Sequence, residues 1–122
     1  MTTDKLAELA VWYNNLRDTS NDTYMPLFEC ESRYLVLKGG GGSGKSIFAG
    51  RKVLERCISE PGHRFLVCRK VARTLRESCF AQLRGQIAEH YPDCGAVVNR
   101  GDLRIAFPNG SEILFAGLDD VE

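Results

Sequence analysis

Four consecutive glycines, Gly39 to Gly42, run into Ser43-Gly44-Lys45-Ser46, and this octet constrains the chain more than any other feature in it. A glycine run could be a flexible linker. This one fits G-x-x-x-x-G-K-[ST] at Gly39, Gly44, Lys45 and Ser46, and its flanks have the pattern that a phosphate-binding loop (P-loop) requires. Tyr34-Leu35-Val36-Leu37 before it is a short apolar run, expected as a strand. After it, residues 45–59 are expected as a helix, with Ile47, Leu54 and Ile58 on one face beside Cys57, ended by Pro61-Gly62. The physical demand is specific. Phosphate oxygens need several backbone N–H donors aimed into one concavity, and residues without Cβ let the chain curl that tightly. The helix N-terminus adds partial positive charge. Lys45 would neutralise the β- and γ-phosphates of a nucleoside triphosphate, ATP first among them, and Ser46 would give a hydroxyl to Mg²⁺. Gly39, Gly40, Gly41, Gly42, Ser43, Gly44, Lys45 and Ser46 are therefore the expected nucleotide-binding residues. Lys38 either touches phosphate or faces solvent.

The remainder reads as an α/β chain. Residues 3–17 space Leu6, Leu9, Ala10, Tyr13 and Leu16 as an amphipathic helix, followed by the polar break Thr19-Ser20-Asn21-Asp22. Tyr24 to Phe28 is an apolar knot around Pro26, expected as a packed loop. Phe65-Leu66-Val67-Cys68 is a second strand. A long helix is expected from Thr74, where Thr74-Leu75-Arg76-Glu77 has capping-box form, with Leu75, Cys79, Leu83 and Ile87 at steps of four, closed by Pro92 and Gly95. Residues 103–107 and 112–115 are strands joined by Pro108-Asn109-Gly110-Ser111, a hairpin signal. The expected order is β-α-β-α-β-β. The division is 1–23 as N-terminal helix and linker, then 24–122 as the N-terminal portion of a P-loop nucleotide-binding domain.

Composition excludes some classes. The 122 residues carry 16 basic and 16 acidic side chains, so no bulk field argues for or against a nucleic-acid partner. The charge is unevenly placed: residues 64–84 hold Arg64, Arg69, Lys70, Arg73, Arg76 and Arg84 against Glu77 alone. Arg69, Arg73 and Arg76 are candidates for phosphate or DNA contact, against a plain solvated face. Five scattered cysteines suggest neither zinc nor a disulfide framework and fit a reducing cytosol. Cys57, Cys68 and Cys79 are expected as small core residues. Asp4 and Glu8 stand where a signal peptide would be basic and then apolar, and no run approaches a membrane span. Hydrolysis would also need an acid at the end of a buried strand and a group that orients water. The nearest candidate is the run from Ile113 to Asp119-Asp120, interrupted by Gly117, and a solvated acidic loop is the simpler reading. Catalytic residues are thus unknown, and a nucleotide cradle without a convincing catalytic carboxylate is expected.

Four stretches in this order resemble the large subunit of tailed-phage terminases, closest to the branch from phages and prophages of Gram-positive bacteria: residues 33–46, Arg69-Lys70, the segment Leu75-Arg76-Glu77-Ser78 with Phe80 and Leu83, and residues 107–120 from Phe107-Pro108-Asn109-Gly110-Ser111-Glu112 to Asp119-Asp120. The resemblance covers about residues 24–122. It implies a P-loop NTPase of the additional-strand, catalytic-glutamate type, here a partial three-layer sandwich with a β-hairpin. It also implies ATP and Mg²⁺ as cofactors, double-stranded DNA, a small terminase subunit and a portal protein as partners, a homo-oligomeric ring, and the cytoplasm of a bacterial host. In the family the paired acids of Walker B follow the Leu118-Asp119-Asp120 region, and a nuclease domain follows later. Both are expected beyond Glu122. The family often carries Arg where this chain has Gly41, which puts any role of that arginine in doubt here. The alternatives are another P-loop NTPase of helicase-like type and a non-catalytic truncated prophage remnant.

Overall fold

The computed structural model describes residues 22–38 and 44–118. The expected N-terminal helix at 3–17, the loop residues 39–43 and Asp119-Asp120 lie outside the described residues. Two compact units divide at Phe48/Ala49 and are taken separately.

In the first unit, Asp22–Glu29 is a 3-10 helix that contains Pro26, where a packed loop was expected. The packing expectation holds. Met25 is buried, Tyr24 stacks on Phe48 with ring centroids 5.0 Å apart, and Phe28 meets the same ring edge-on at 5.0 Å. Tyr34–Leu37 is not a strand. It pairs with no described strand, and Tyr34 and Val36 are 77% and 86% exposed. An apolar, β-prone segment becomes a strand only when a neighbour takes its N–H and C=O groups, and this one has no such neighbour among the described residues.

The helix α1 (Lys45–Ser59) runs from one unit into the other. The second unit is α/β with a mixed four-stranded sheet. The strands are β1 (Arg64–Arg69), β2 (Val97–Asn99), β3 (Arg104–Ala106) and β4 (Glu112–Gly117), in the order β1-β4-β3-β2. Strand β1 pairs parallel with β4, from Arg64 opposite Glu112 to Arg69 opposite Gly117. The two remaining pairs are antiparallel. The Asn-Gly signal is realised as the β3–β4 turn: Phe107 N–H donates to Ser111 O at 2.8 Å, and Gly110 adopts φ +92°, a conformation that favours glycine. The short strand β2 was not expected; three residues are too few to show a period.

The expected second helix has three parts: α2 (Ala72–Leu75), a π turn (Arg76–Phe80) and α3 (Ala81–His90). It starts before Thr74. Val71, extended at φ −117° and ψ 119°, is the N-cap, and the expected capping box is not formed. Thr74 lies inside the first turn and its hydroxyl donates back to Val71 O at 2.7 Å. The π turn also shifts the expected core face. It inserts one residue per turn, so Leu75 is followed on the buried face by Phe80, five residues on, and then by Leu83 and Ile87. Phe80 packs edge-to-face on Phe115 of β4 at 5.2 Å, and Cys79 is displaced to the margin.

The core joins Leu54 and Cys57 of α1 to Leu75, Phe80, Leu83 and Ile87, and to Ile105, Phe107, Ile113 and Phe115 of the sheet. Burial raises the Cys57 thiol to about 12, which keeps it protonated. Two expected core residues are exposed. Ile47 is 59% exposed, because the buried stripe of α1 runs through Phe48, Arg51, Leu54 and Glu55. Cys68 points away from the core because strand side chains alternate: Phe65 and Val67 face the helices, while Arg64, Leu66 and Cys68 face outward.

Two close fits fix the arrangement. A Cβ built on Gly117 would lie 2.4 Å from Ala72 Cα and 2.5 Å from Ala72 N, so β4 can approach the start of α2 only through glycine. The turn after β3 clasps the end of α1. Asn109 Nδ2 donates to Cys57 O at 2.8 Å, Glu60 O at 3.2 Å and Ile58 O at 3.4 Å, and the Ser111 hydroxyl donates to Glu60 O at 2.8 Å. Helices leave their last carbonyls without partners, and here a turn from the sheet supplies the donors.

Candidate functional site

The described part of the glycine-rich motif is its exit into α1. Gly44 has φ +83°, the left-handed region where a side chain is strained. Its carbonyl accepts from Phe48 N–H at 2.9 Å, the first bond of the helix. Lys45 and Ser46 are the first two residues of α1, half-buried and exposed respectively. Gly44 therefore leads directly into a helix N-terminus that carries an ammonium and a hydroxyl, and a helix N-terminus favours an anion through its backbone N–H groups and dipole. The aromatic contacts on Phe48, one turn further on, hold this start in place. The Tyr24 ring also lies 3.6 Å from where a Gly44 Cβ would stand. Gly39, Gly40, Gly41, Gly42 and Ser43 lie outside the described residues.

The basic candidates belong to the second unit. Arg69 is the last residue of β1, Arg73 lies in α2, and Arg76 opens the π turn; all three are exposed. Arg76 Nη1 donates to Arg100 O at 2.8 Å and so ties the helix to the β2–β3 turn. His63 pairs with Glu60, whose carboxyl Arg56 and His63 together hold below its usual range.

Sequence reasoning missed three polar clusters, each a positioning device. Arg51 and Glu55, one turn apart on α1 and both buried, meet on Tyr91: Arg51 Nε donates to the Tyr91 hydroxyl at 2.9 Å, and that hydroxyl donates to Glu55. Burial and the neighbouring carboxylate push the Tyr91 hydroxyl far above its usual value, so it remains a donor. Glu112 sits between Arg64, at 2.7 Å, and Arg104. Burial works against its ionisation, but the two guanidiniums outweigh that and hold its carboxyl below the usual range. The third cluster is Asn109 with Ser111. The i, i+4 spacing of Arg51 and Glu55 was a visible signal. The others required the sheet pairing.

Among the described residues, no group of His, Cys, Asp and Glu is arranged to hold a metal, and no helix is long and apolar enough to cross a membrane.

The sequence model of the family described as phage terminase large subunit matches residues 31–122. The PBSX phage terminase large subunit of Bacillus subtilis (strain 168) is 34% identical over 94 residues, which are 77% of this chain and 22% of that protein. The terminase large subunit of Bacillus phage SPP1 is 36% identical over 88 residues, 71% of this chain and 21% of that protein. The chain thus spans about one fifth of the length of these relatives. No solved structure matches it significantly. A family match over three quarters of the chain, with relatives about a third identical over the aligned stretch, establishes that the chain belongs to the phage terminase large subunit family.

Proposed function

We propose that this chain is the ATP-binding segment of a terminase large subunit that powers the packaging of double-stranded DNA into procapsids. The observation that carries the reading is the left-handed Gly44 leading directly into a 15-residue helix whose first two residues are Lys45 and Ser46. A phosphate-binding loop needs that local geometry: a glycine that turns the chain, a helix start that faces an anion, and a cation with a hydroxyl beside it. On this reading the amides from Gly39 to Gly44 cradle the phosphates, Lys45 neutralises the β- and γ-phosphates, and Ser46 supplies a hard oxygen ligand to Mg²⁺. The bound Mg²⁺ would offset phosphate charge. The α/β fold is compatible with a P-loop NTPase. ATP hydrolysis, the homo-oligomeric ring, the small subunit and portal contacts, and the host cytoplasm belong to this proposal for the longer protein.

The test is a titration of the chain with a fluorescent ATP analogue in Mg²⁺. A charge-assisted contact contributes about 1.5–3 kcal/mol, so Lys45→Ala is expected to weaken binding by about 10- to 100-fold. Equal affinity in wild type and variant contradicts the reading.

A further inference from the structure

Apart from the half-buried Arg84, the arginines of the second unit fall into two groups. Arg56 faces Glu60, Arg64 and Arg104 face Glu112, and Arg51 is buried on Tyr91. These are internal attachments. Arg69, Lys70, Arg73, Arg76 and Arg100 differ: all five are exposed, and among the described residues none is paired with a carboxylate. They lie on three elements, the end of β1, the α2–π segment and the β2–β3 turn. The Arg76–Arg100 bond at 2.8 Å places the last two elements side by side.

The turn is shaped to present its cation. Asn99 Nδ2 donates to the Asp102 carboxylate at 3.1 Å, and Asp102 N–H donates to Asn99 Oδ1 at 3.0 Å. The acid nearest Arg100 in sequence is thereby held by an amide. Leu103, at φ +50°, packs against the core and anchors the far side of the turn. The turn is therefore tied at Arg76, Asn99 and Leu103, while the Arg100 side chain stays exposed.

We propose that Arg69, Lys70, Arg73, Arg76 and Arg100 form a contact surface for the phosphate backbone of duplex DNA, with the β2–β3 turn as its second arm. The choice of duplex DNA rests on the packaging reading above; the unpaired charge does not. Cations spread over a strand end, a helix and a hairpin turn suit a repeating line of phosphates better than one nucleotide. Duplex DNA offers about one charge per 1.7 Å of axis. Backbone phosphates present the same charge whatever the bases. The surface therefore holds and orients the duplex without regard to sequence.

The test is fluorescence anisotropy of the 122-residue chain with a labelled duplex of about two helical turns, between about 50 and 200 mM salt. The variant is Arg73→Gln with Arg100→Gln, which leaves the Arg76 tether intact, and circular dichroism checks its fold. Wild type is expected to bind with a steep salt dependence. The double variant is expected to bind about tenfold more weakly, with the log–log slope reduced by about 2. Arg56→Gln, which removes a paired arginine, should bind as wild type. No duplex binding by wild type, a double variant that binds as wild type, or displacement of the duplex by free ATP would each overturn the proposal. The two readings fail separately: wild type that binds duplex but not ATP sinks the nucleotide reading and leaves this surface standing, and Lys45→Ala, which is outside the surface, should bind duplex as wild type does.

Discussion

Replacing Gly117 by Ala tests the close fit between β4 and α2. The new Cβ would lie 2.4 Å from Ala72 Cα and 2.5 Å from both its N and its Cβ. Carbon atoms in contact stand about 3.5–4.0 Å apart, so more than an ångström must be recovered by movement of backbone. Ala72 is the first residue of α2, and Gly117 pairs with Arg69 at the end of β1, so neither side can yield alone. Overpacking of this kind costs about 1–3 kcal/mol, and a backbone clash belongs at the upper end. Urea unfolding followed by circular dichroism reads this as a midpoint lower by about 1–2 M, for a slope of about 1–3 kcal/mol per molar. Ala72→Gly should not rescue the variant, because Ala72 N and Cα remain in the way. Gly85→Ala is the control of opposite sign. Gly85 lies inside α3 with nothing within 4 Å of its built Cβ, so alanine should stabilise by about 0.5–1 kcal/mol. A Gly117→Ala protein as stable as wild type, or one rescued fully by Ala72→Gly, refutes this account of the fit.

Asn109→Ala removes the donor from three carbonyls at the end of α1 and should lower stability by about 1–2 kcal/mol in the same unfolding assay. Asn109→Asp should be worse than Ala, because a carboxylate would face those carbonyls and the negative end of the helix dipole; the reverse order counts against the clasp. Glu112 sets a pH dependence. Its folded carboxyl titrates below its ordinary value of 4.5, so its contribution is complete above that pH and is lost as pH falls through the lower folded value. The difference in urea midpoint between wild type and Glu112→Gln should therefore be largest near neutrality and shrink below about pH 4; a difference independent of pH would argue against the Arg64–Glu112–Arg104 cluster. Tyr91→Phe removes the hydroxyl that bridges Arg51 and Glu55 and, because both of its bonds are to charged groups, should cost about 1–3 kcal/mol by thermal or urea unfolding, whereas an unchanged midpoint would show that the hydroxyl is dispensable.

Local signals were readable where the physics is local. The Gly44 turn, the α1 boundaries, the apolar run that became β1 and the Asn-Gly turn all follow from residues within a few positions of one another. What escaped depends on partners far along the chain. Tyr34–Leu37 has strand composition, but strand formation is settled by a neighbour, and none of the described strands is one. The π turn is an insertion of one residue, and step-of-four counting passed over it to select Cys79 where Phe80 is buried. The capping-box pattern at Thr74 lost to an extended Val71, which caps the helix three residues earlier. Asn109 and Ser111 read as turn residues; their role as donors to the end of α1 appears only once the sheet brings the turn there. Of the candidate site, Gly44, Lys45 and Ser46 take positions that the motif anticipates, and Arg100 had no sequence signal until Arg76 was seen bound to its carbonyl.

The most direct test of the central claim is the ³¹P resonance spectrum of Mg²⁺-ATP titrated with the chain. If Lys45 and the helix start face the β- and γ-phosphates, those two resonances should shift and broaden with wild type, and Lys45→Ala should need a much higher protein concentration to move them. Resonances that do not move with wild type, or that move equally with the variant, contradict it.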